Sequence, residues 1–154
     1  MADGSGLAAN YSISAGQTTT ANITAKSLTV SGITASNKTY DGSTNVTLDP
    51  SSVAYSGLVD GDDFTGSYSG VFANANVGTG KTVTITSSYS GADAGNYTVT
   101  DQSSATGNIV PKVLTATASA SNKTYDGGTN ASMDGTSAVY SGLVSGDTFN
   151  GTYT

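Results

Sequence analysis

The amino-acid sequence predicts an all-β chain made of tandem β-sandwich repeats of about 85 residues. Three observations predict it: a composition confined to strand and turn formers, short runs in which apolar and polar residues alternate, and a long self-match at a fixed offset. The composition comes first. Thr, Ser, Gly, Ala, Asn and Val dominate the 154 residues, and Cys, His, Trp, Glu and Arg are absent. Thr and Val suit a pleated, half-buried surface, Gly and Asn supply turns, and the strong helix formers Glu, Arg and Gln are almost missing.

The same inventory excludes several function classes. With 5 Lys against 11 Asp the net charge is −6, which disfavours nucleic acid and anionic membrane surfaces as partners. Zero cysteine removes disulfides and thiolate metal sites, so the fold is held by its core, by ions or by other cross-links. No run is long enough for a membrane helix. Met1-Ala2-Asp3-Gly4-Ser5-Gly6 has neither a basic head nor an apolar stretch, so any export signal is expected outside these residues.

The self-match sets the organisation. Ala35-Ser36-Asn37-Lys38-Thr39-Tyr40-Asp41-Gly42 recurs as Ala120-Ser121-Asn122-Lys123-Thr124-Tyr125-Asp126-Gly127, a shift of 85 from Lys38 to Lys123. Tyr55-Ser56-Gly57-Leu58-Val59 recurs as Tyr140-Ser141-Gly142-Leu143-Val144 at the same shift. Asn10-Tyr11-Ser12-Ile13 matches Asn96-Tyr97-Thr98-Val99, and Lys26-Ser27-Leu28-Thr29 matches Lys112-Val113-Leu114-Thr115, at a shift of 86. The expected division is therefore the end of one repeat over 1–25, a complete repeat over 26–111, and the first part of another over 112–154.

Within a repeat, Ser27–Val30, Thr82–Thr86, Tyr97–Thr100 and Tyr11–Ser14 alternate and read as strands with one buried face, with Leu28, Val30, Val83 and Ile85 in the core. Asp-Gly pairs at 41–42, 60–61 and 126–127 and Ser-Gly pairs at 56–57, 69–70 and 90–91 place turn chemistry between them. Tyr40, Asp41 and Gly42, with Tyr125, Asp126 and Gly127 in the second copy, are expected to shape a hairpin. Asp93-Ala94-Gly95-Asn96-Tyr97 has the Asp-x-Gly-x-Tyr form of the tyrosine corner of immunoglobulin-like domains, in which the hydroxyl bonds upstream backbone. Asp93, Gly95 and Tyr97 are thus structural candidates. The upstream partial copy keeps Asn10-Tyr11 but has Leu7-Ala8-Ala9 in place of Asp-Ala-Gly, and a β-grasp-like unit is the alternative fold.

Candidate chemistry is sparse. Without His, Cys or Glu the usual bases and soft nucleophiles are missing, so no enzyme is expected. Lys26 and Ser27, a formal Ser/Lys pair, point to opposite faces of a strand. Gly78-Thr79-Gly80-Lys81-Thr82 resembles a phosphate loop but precedes a strand pattern rather than a helix. Asp60, Asp62 and Asp63 are calcium candidates, set against a solvated turn because only Asp147 survives in the second copy; no other cofactor is expected. Lys38 and Lys123, each three residues before an Asp, are candidates for an isopeptide cross-link, set against edge-shielding lysines.

Asn-Lys-Thr-Tyr-Asp-Gly-x-Thr in both copies, Gly-Ala-Asp-Ala-Gly-Asn-Tyr-Thr over 91–98 and Gly-Asn-Ile-Val-Pro-Lys over 107–112 resemble the YDG-type repeats of very large bacterial surface adhesins, filamentous haemagglutinin-like exoproteins. The resemblance implies an extracellular location at the bacterial cell surface, neighbouring repeats of the same protein as partners, and a structural stalk that projects a binding domain. It transfers no catalytic residue. Two other readings stand beside it. One is a glycan- or matrix-binding module using Tyr55 and Tyr140; the other is a homo-oligomer or head-to-tail fibre, in which partial repeats of different molecules add strands to one another.

Overall fold

The computed structural model describes residues 10–12, 14–16 and 18–151. In chain order the strands are β1 (Lys26–Ser31), β2 (Thr34–Ala35), β3 (Lys38–Thr39), β4 (Leu48–Asp49), β5 (Ala54–Ser56), β6 (Thr65–Phe72), β7 (Gly78–Ser90), β8 (Tyr97–Thr100), β9 (Ser104–Val110), β10 (Thr115–Ala120) and β11 (Met133–Ser141). The chain is all-β, as its Thr- and Val-rich alphabet requires. No α-helix occurs among the described residues, only short 3-10 turns such as Ala94–Asn96.

Two sheets carry the unit between residues 26 and 110. One has the order β5-β1-β8, the other β3-β9-β7-β6. Most pairings are antiparallel, but two are parallel: β1 with β8, with Leu28 opposite Val99, and β3 with β9, with Lys38 opposite Ile109. Both join the beginning of the unit to its end, so the chain closes on itself. β10 and β11 form a separate two-stranded sheet whose register repeats that of β1 and β5: Thr115 faces Ser141 as Thr29 faces Ser56.

The period-2 patterns bury the residues they predict. Leu28 and Val30 on β1, and Val83 and Ile85 on β7, are buried while their neighbours along the strand face out. Val30 and Ile85 meet in one cluster with Ile33, although they belong to different sheets, so the two sheets pack face to face. A second cluster joins Phe72, Val83 and Ile109, and half-buried Leu48 touches both.

Ile33 is locked in place by Gln102, one of two glutamines in the chain. The Ile33 N–H donates to Gln102 Oε1 at 2.9 Å, and Gln102 Nε2 donates to the Ile33 carbonyl at 2.7 Å and to Ser104 O at 3.1 Å. The side chain thus replaces a strand neighbour that the backbone of Ile33 lacks. Gln102→Ala should cost about 1–3 kcal/mol, because it strips both polar groups of a buried residue. Urea unfolding measures it.

Two expectations need correction. Asp41-Gly42 turns the chain but makes no hairpin. β3 before it runs parallel to β9, and the next pairing after it is Asn45 with Val71, so the turn carries the chain from β9 towards β6 rather than folding two strands together. It is an Asx turn, in which the Ser43 N–H donates to Asp41 Oδ1 at 2.8 Å. Tyr125-Asp126-Gly127 makes the same Asx turn, the Gly128 N–H donating to Asp126 Oδ1 at 2.9 Å, but it lies in the 121–132 loop that joins antiparallel β10 to β11, with Ala120 opposite Met133, so in this copy the motif does sit in a hairpin connection. The strand expected over Tyr11–Ser14 is also not formed. Tyr11, Ser12 and Ser14 lie outside any strand, whereas Ile13 and the Leu7-Ala8-Ala9 triplet fall outside the described residues.

Candidate functional site

The side chains singled out in the sequence gather at two opposite ends of the unit. At one end, the loop between β5 and β6 meets the turn between β7 and β8. Tyr97 opens β8, and its hydroxyl accepts the Val59 N–H at 3.1 Å and donates to Asp62. Upstream backbone is engaged, but 38 residues away in another loop rather than just ahead of the tyrosine. The Asp63 N–H donates to Asp93 Oδ2 at 2.9 Å, the Asp93 N–H to the Asp63 carbonyl at 3.2 Å, and the Ala92 N–H to Asp63 Oδ2 at 3.1 Å. Behind this double clip the ring of Phe64 lies against Tyr55, Tyr89 and Tyr97, with centroids 5.3, 5.2 and 5.7 Å away. Gly95 sits in the 3-10 turn, where a Cβ would meet open space, so its role is not steric.

This geometry corrects the calcium candidates. Asp62 accepts the Tyr97 hydroxyl and Asp63 accepts the Ala92 amide of the opposing turn, so both carboxylates are engaged by partners within the domain. No group of acidic residues able to hold a metal occurs among the described residues, Asp60 included.

The other end carries the Tyr-Asp-Gly motif. Lys38 Nζ donates to Ser43 O at 3.0 Å, to Ser43 Oγ at 2.9 Å and to Asn45 O at 3.1 Å, and pairs with Asp41 at 2.6 Å. That lysine holds Asp41 down at about 2. Amide formation needs a neutral amine and an un-ionised acyl partner, so an ammonium with its donors occupied beside a firmly ionised carboxylate is set up for an ion pair, not for an isopeptide bond. Lys123 and Asp126 repeat the pair at 2.7 Å. Tyr40 bonds the β9 exit through its N–H to the Val110 carbonyl at 2.9 Å, and its hydroxyl donates to Asp147 Oδ2 at 2.9 Å. The hydrogen bond to Asp147 raises the Tyr40 phenol above its ordinary value.

The two sugar-platform candidates are both half-buried. The Tyr55 hydroxyl lies 2.8 Å from that of Tyr68, and Tyr140 packs its ring on Phe149 at 5.1 Å. The phosphate-loop-like segment Gly78–Thr82 is the start of strand β7.

The family model of the YDG domain matches residues 24–106. The chain belongs to the YDG domain family. No curated protein and no solved structure matches it.

Two features of this YDG domain were missed in the sequence. Phe64, one of three phenylalanines, is the hub of the aromatic cluster, and Asp63 and Asp93 clip loops that are far apart in the chain. Spacing could not have paired them; the scarcity of Phe was the available signal.

The domain's ionisable groups predict an unusual pH profile. His and Cys, whose ordinary values lie nearest neutrality, are absent. Asp41, Asp49 and Asp126 are lowered, by Lys38, by the Ser51 amide and by Lys123 respectively. Their contribution is present above the unfolded carboxyl range and is lost as pH falls through the folded values, down to about 2 for Asp41. Tyr89 is pushed up to about 12, chiefly by burial, and Tyr97 is raised chiefly by its bond to Asp62. Their contribution is present below the ordinary tyrosine value and is lost as pH rises through the folded values. The urea midpoint should stay flat between about pH 5 and 9 and fall on both sides, with a slope inside that window contradicting the assignment.

Proposed function

We propose that this chain is structural: a segment of a tandem array of immunoglobulin-like sandwiches that forms the stalk of an extracellular adhesin on a bacterial surface, with no catalytic role. One observation carries the reading. The unit is entered and left at opposite poles. Entry at Lys26 lies beside Tyr97, at the Phe64 end where β7 finishes. Exit at Val110 lies beside Thr39 and Ile109 faces Gly78, where β7 begins. β7 is 13 residues long, so the poles are roughly 40 Å apart at strand rise. Residues joined pole to pole extend rather than fold back, and Pro111 at the junction stiffens the connection. The repeated register of β10 and β11 supports a further copy starting near 112. Small-angle scattering on arrays of two, four and six repeats tests the stalk: the maximum dimension should grow by about 40 Å per repeat, and compact arrays would overturn it.

The fibre reading has its own support. Tyr11 is 76% and Ile23 fully exposed, although their counterparts Tyr97 and Ile109 are buried, and among the described residues β10 has only β11 beside it where β1 has both β5 and β8. A strand from a second molecule would cover both sets. Light scattering over a wide concentration range tests it: multimers that grow with concentration and disappear on Ile23→Asp support the fibre, and a constant 15.2 kDa monomer excludes it.

A further inference from the structure

We infer that the Tyr-Asp-Gly motif is a clasp between consecutive repeats: Tyr40 and Gly42 at the exit pole of one repeat seat the turn from Leu143 to Asp147 at the entry pole of the next. The inference deepens the stalk reading and rests on its tandem arrangement. Tyr40 is anchored to its own repeat by the bond from its N–H to Val110, yet its hydroxyl spends its donor on Asp147, 107 residues further along. Gly42, at φ +79, is needed on two grounds. An L side chain is strained in that backbone conformation, and a Cβ there would lie 3.0 Å from Val144 Cγ1. Val77, Leu143, Val144 and Phe149 line the apolar groove around the phenol. The Lys38–Asp41 pair and the Asx turn hold the motif in shape beneath it.

The seated turn has a counterpart inside the complete repeat. Asp147 closes a turn by donating its N–H to the Val144 carbonyl at 3.0 Å, and Asp62, its equivalent, does the same to Val59 at 3.2 Å. Asp62 accepts the hydroxyl of Tyr97 in its own repeat, whereas Asp147 accepts that of Tyr40 in the preceding one. A carboxylate has lone pairs for both. In an array each such Asp therefore receives two phenols, one from its own corner tyrosine and one from the motif tyrosine of the repeat before it. Tyr125 is 92% exposed, in the position that Tyr40 fills in the preceding copy. It presents the same seat to a Leu-Val-x-Gly-Asp turn.

The absence of native cysteine allows clean spin labelling of the full chain at Thr84→Cys and Thr117→Cys, both exposed and on either side of the junction. Electron–electron resonance should give a narrow distance distribution. Tyr40→Phe, Asp147→Asn and Gly42→Val should each broaden it, with the open population rising about tenfold for loss of one charge-assisted hydrogen bond. Tyr125→Phe should leave it unchanged. Unaltered urea midpoints for Tyr40→Phe would show that the repeat itself stays folded, and Asp147→Asn should return the Tyr40 phenol towards its ordinary value in a tyrosine titration. Distributions identical to wild type in Tyr40→Phe and Asp147→Asn would overturn the clasp. Arrays that still lengthen with repeat number would then leave the stalk standing, as repeats joined by free hinges.

Discussion

Phe72→Ala is expected to lower the unfolding free energy by about 3–5 kcal/mol, the largest loss available from a single truncation in this fold. Phe72 closes β6 and is 2% exposed, packed with Val83 and Ile109 under half-buried Ala35, Tyr40, Val46 and Leu48. Its neighbours cannot collapse into the gap. Gly107 lies under the ring edge, where even a Cβ would be 3.2 Å from Phe72 Cε1, and the Phe72 N–H is held by the Thr44 carbonyl at 2.8 Å. The backbone on both sides is therefore fixed and the cavity persists. Urea denaturation should show a lower midpoint with an unchanged slope. A loss under about 1.5 kcal/mol would mean that the cluster repacks, the behaviour of volume-tolerant cores.

Gly32→Ala should be nearly as damaging for a different reason. Gly32 follows β1 at φ +89, and a Cβ built on it would sit 2.1 Å from the Ser52 carbonyl oxygen, a backbone atom. Backbone strain at a non-glycine residue in that region costs about 1–3 kcal/mol alone, and here the clash forces the 50–53 turn outwards as well. That displacement would strain the Val53 N–H bond to the Pro50 carbonyl and shift Val53 off the Val30 cluster. Gly61, at φ +92 with open space around it, separates the two effects: Gly61→Ala should cost only about 1–2 kcal/mol. Equal losses at the two sites in thermal melts would show that the contact with Ser52 carries no energy of its own.

The strands that alternate were legible in the sequence because one buried face imposes a period of two. Leu28, Val30, Val83 and Ile85 stand out on that basis alone. The parallel pairings of β1 with β8 and β3 with β9 were not legible, since no local signal links Lys26 to Tyr97 or Lys38 to Ile109. Asp41-Gly42 announced a turn, and its chemistry is there in the Asx hydrogen bond, but a dipeptide does not say which strands it connects. The three aspartates at 60, 62 and 63 looked like a ligand set because they are close in sequence. Two of them are engaged by partners from distant loops, Tyr97 and Ala92. Self-comparison matches Tyr55–Val59 to Tyr140–Val144, yet the hydrogen bond from Tyr40 to Asp147, just beyond the second of these segments, joins different copies, and only the structure reveals it.

The placement of entry and exit bears on what happens when the chain is pulled. Tension applied through Lys26 and Val110 acts along the axes of β1 and β9. Each is flanked by strands on both sides, β5 and β8 for the first, β3 and β7 for the second. Their hydrogen bonds run across the strands, so they lie crosswise to the load and share it together in shear. A strand drawn lengthwise must break its whole ladder at once, whereas one peeled from its end surrenders its bonds in succession. The same parallel pairings that close the repeat thus brace it against being drawn open from its ends.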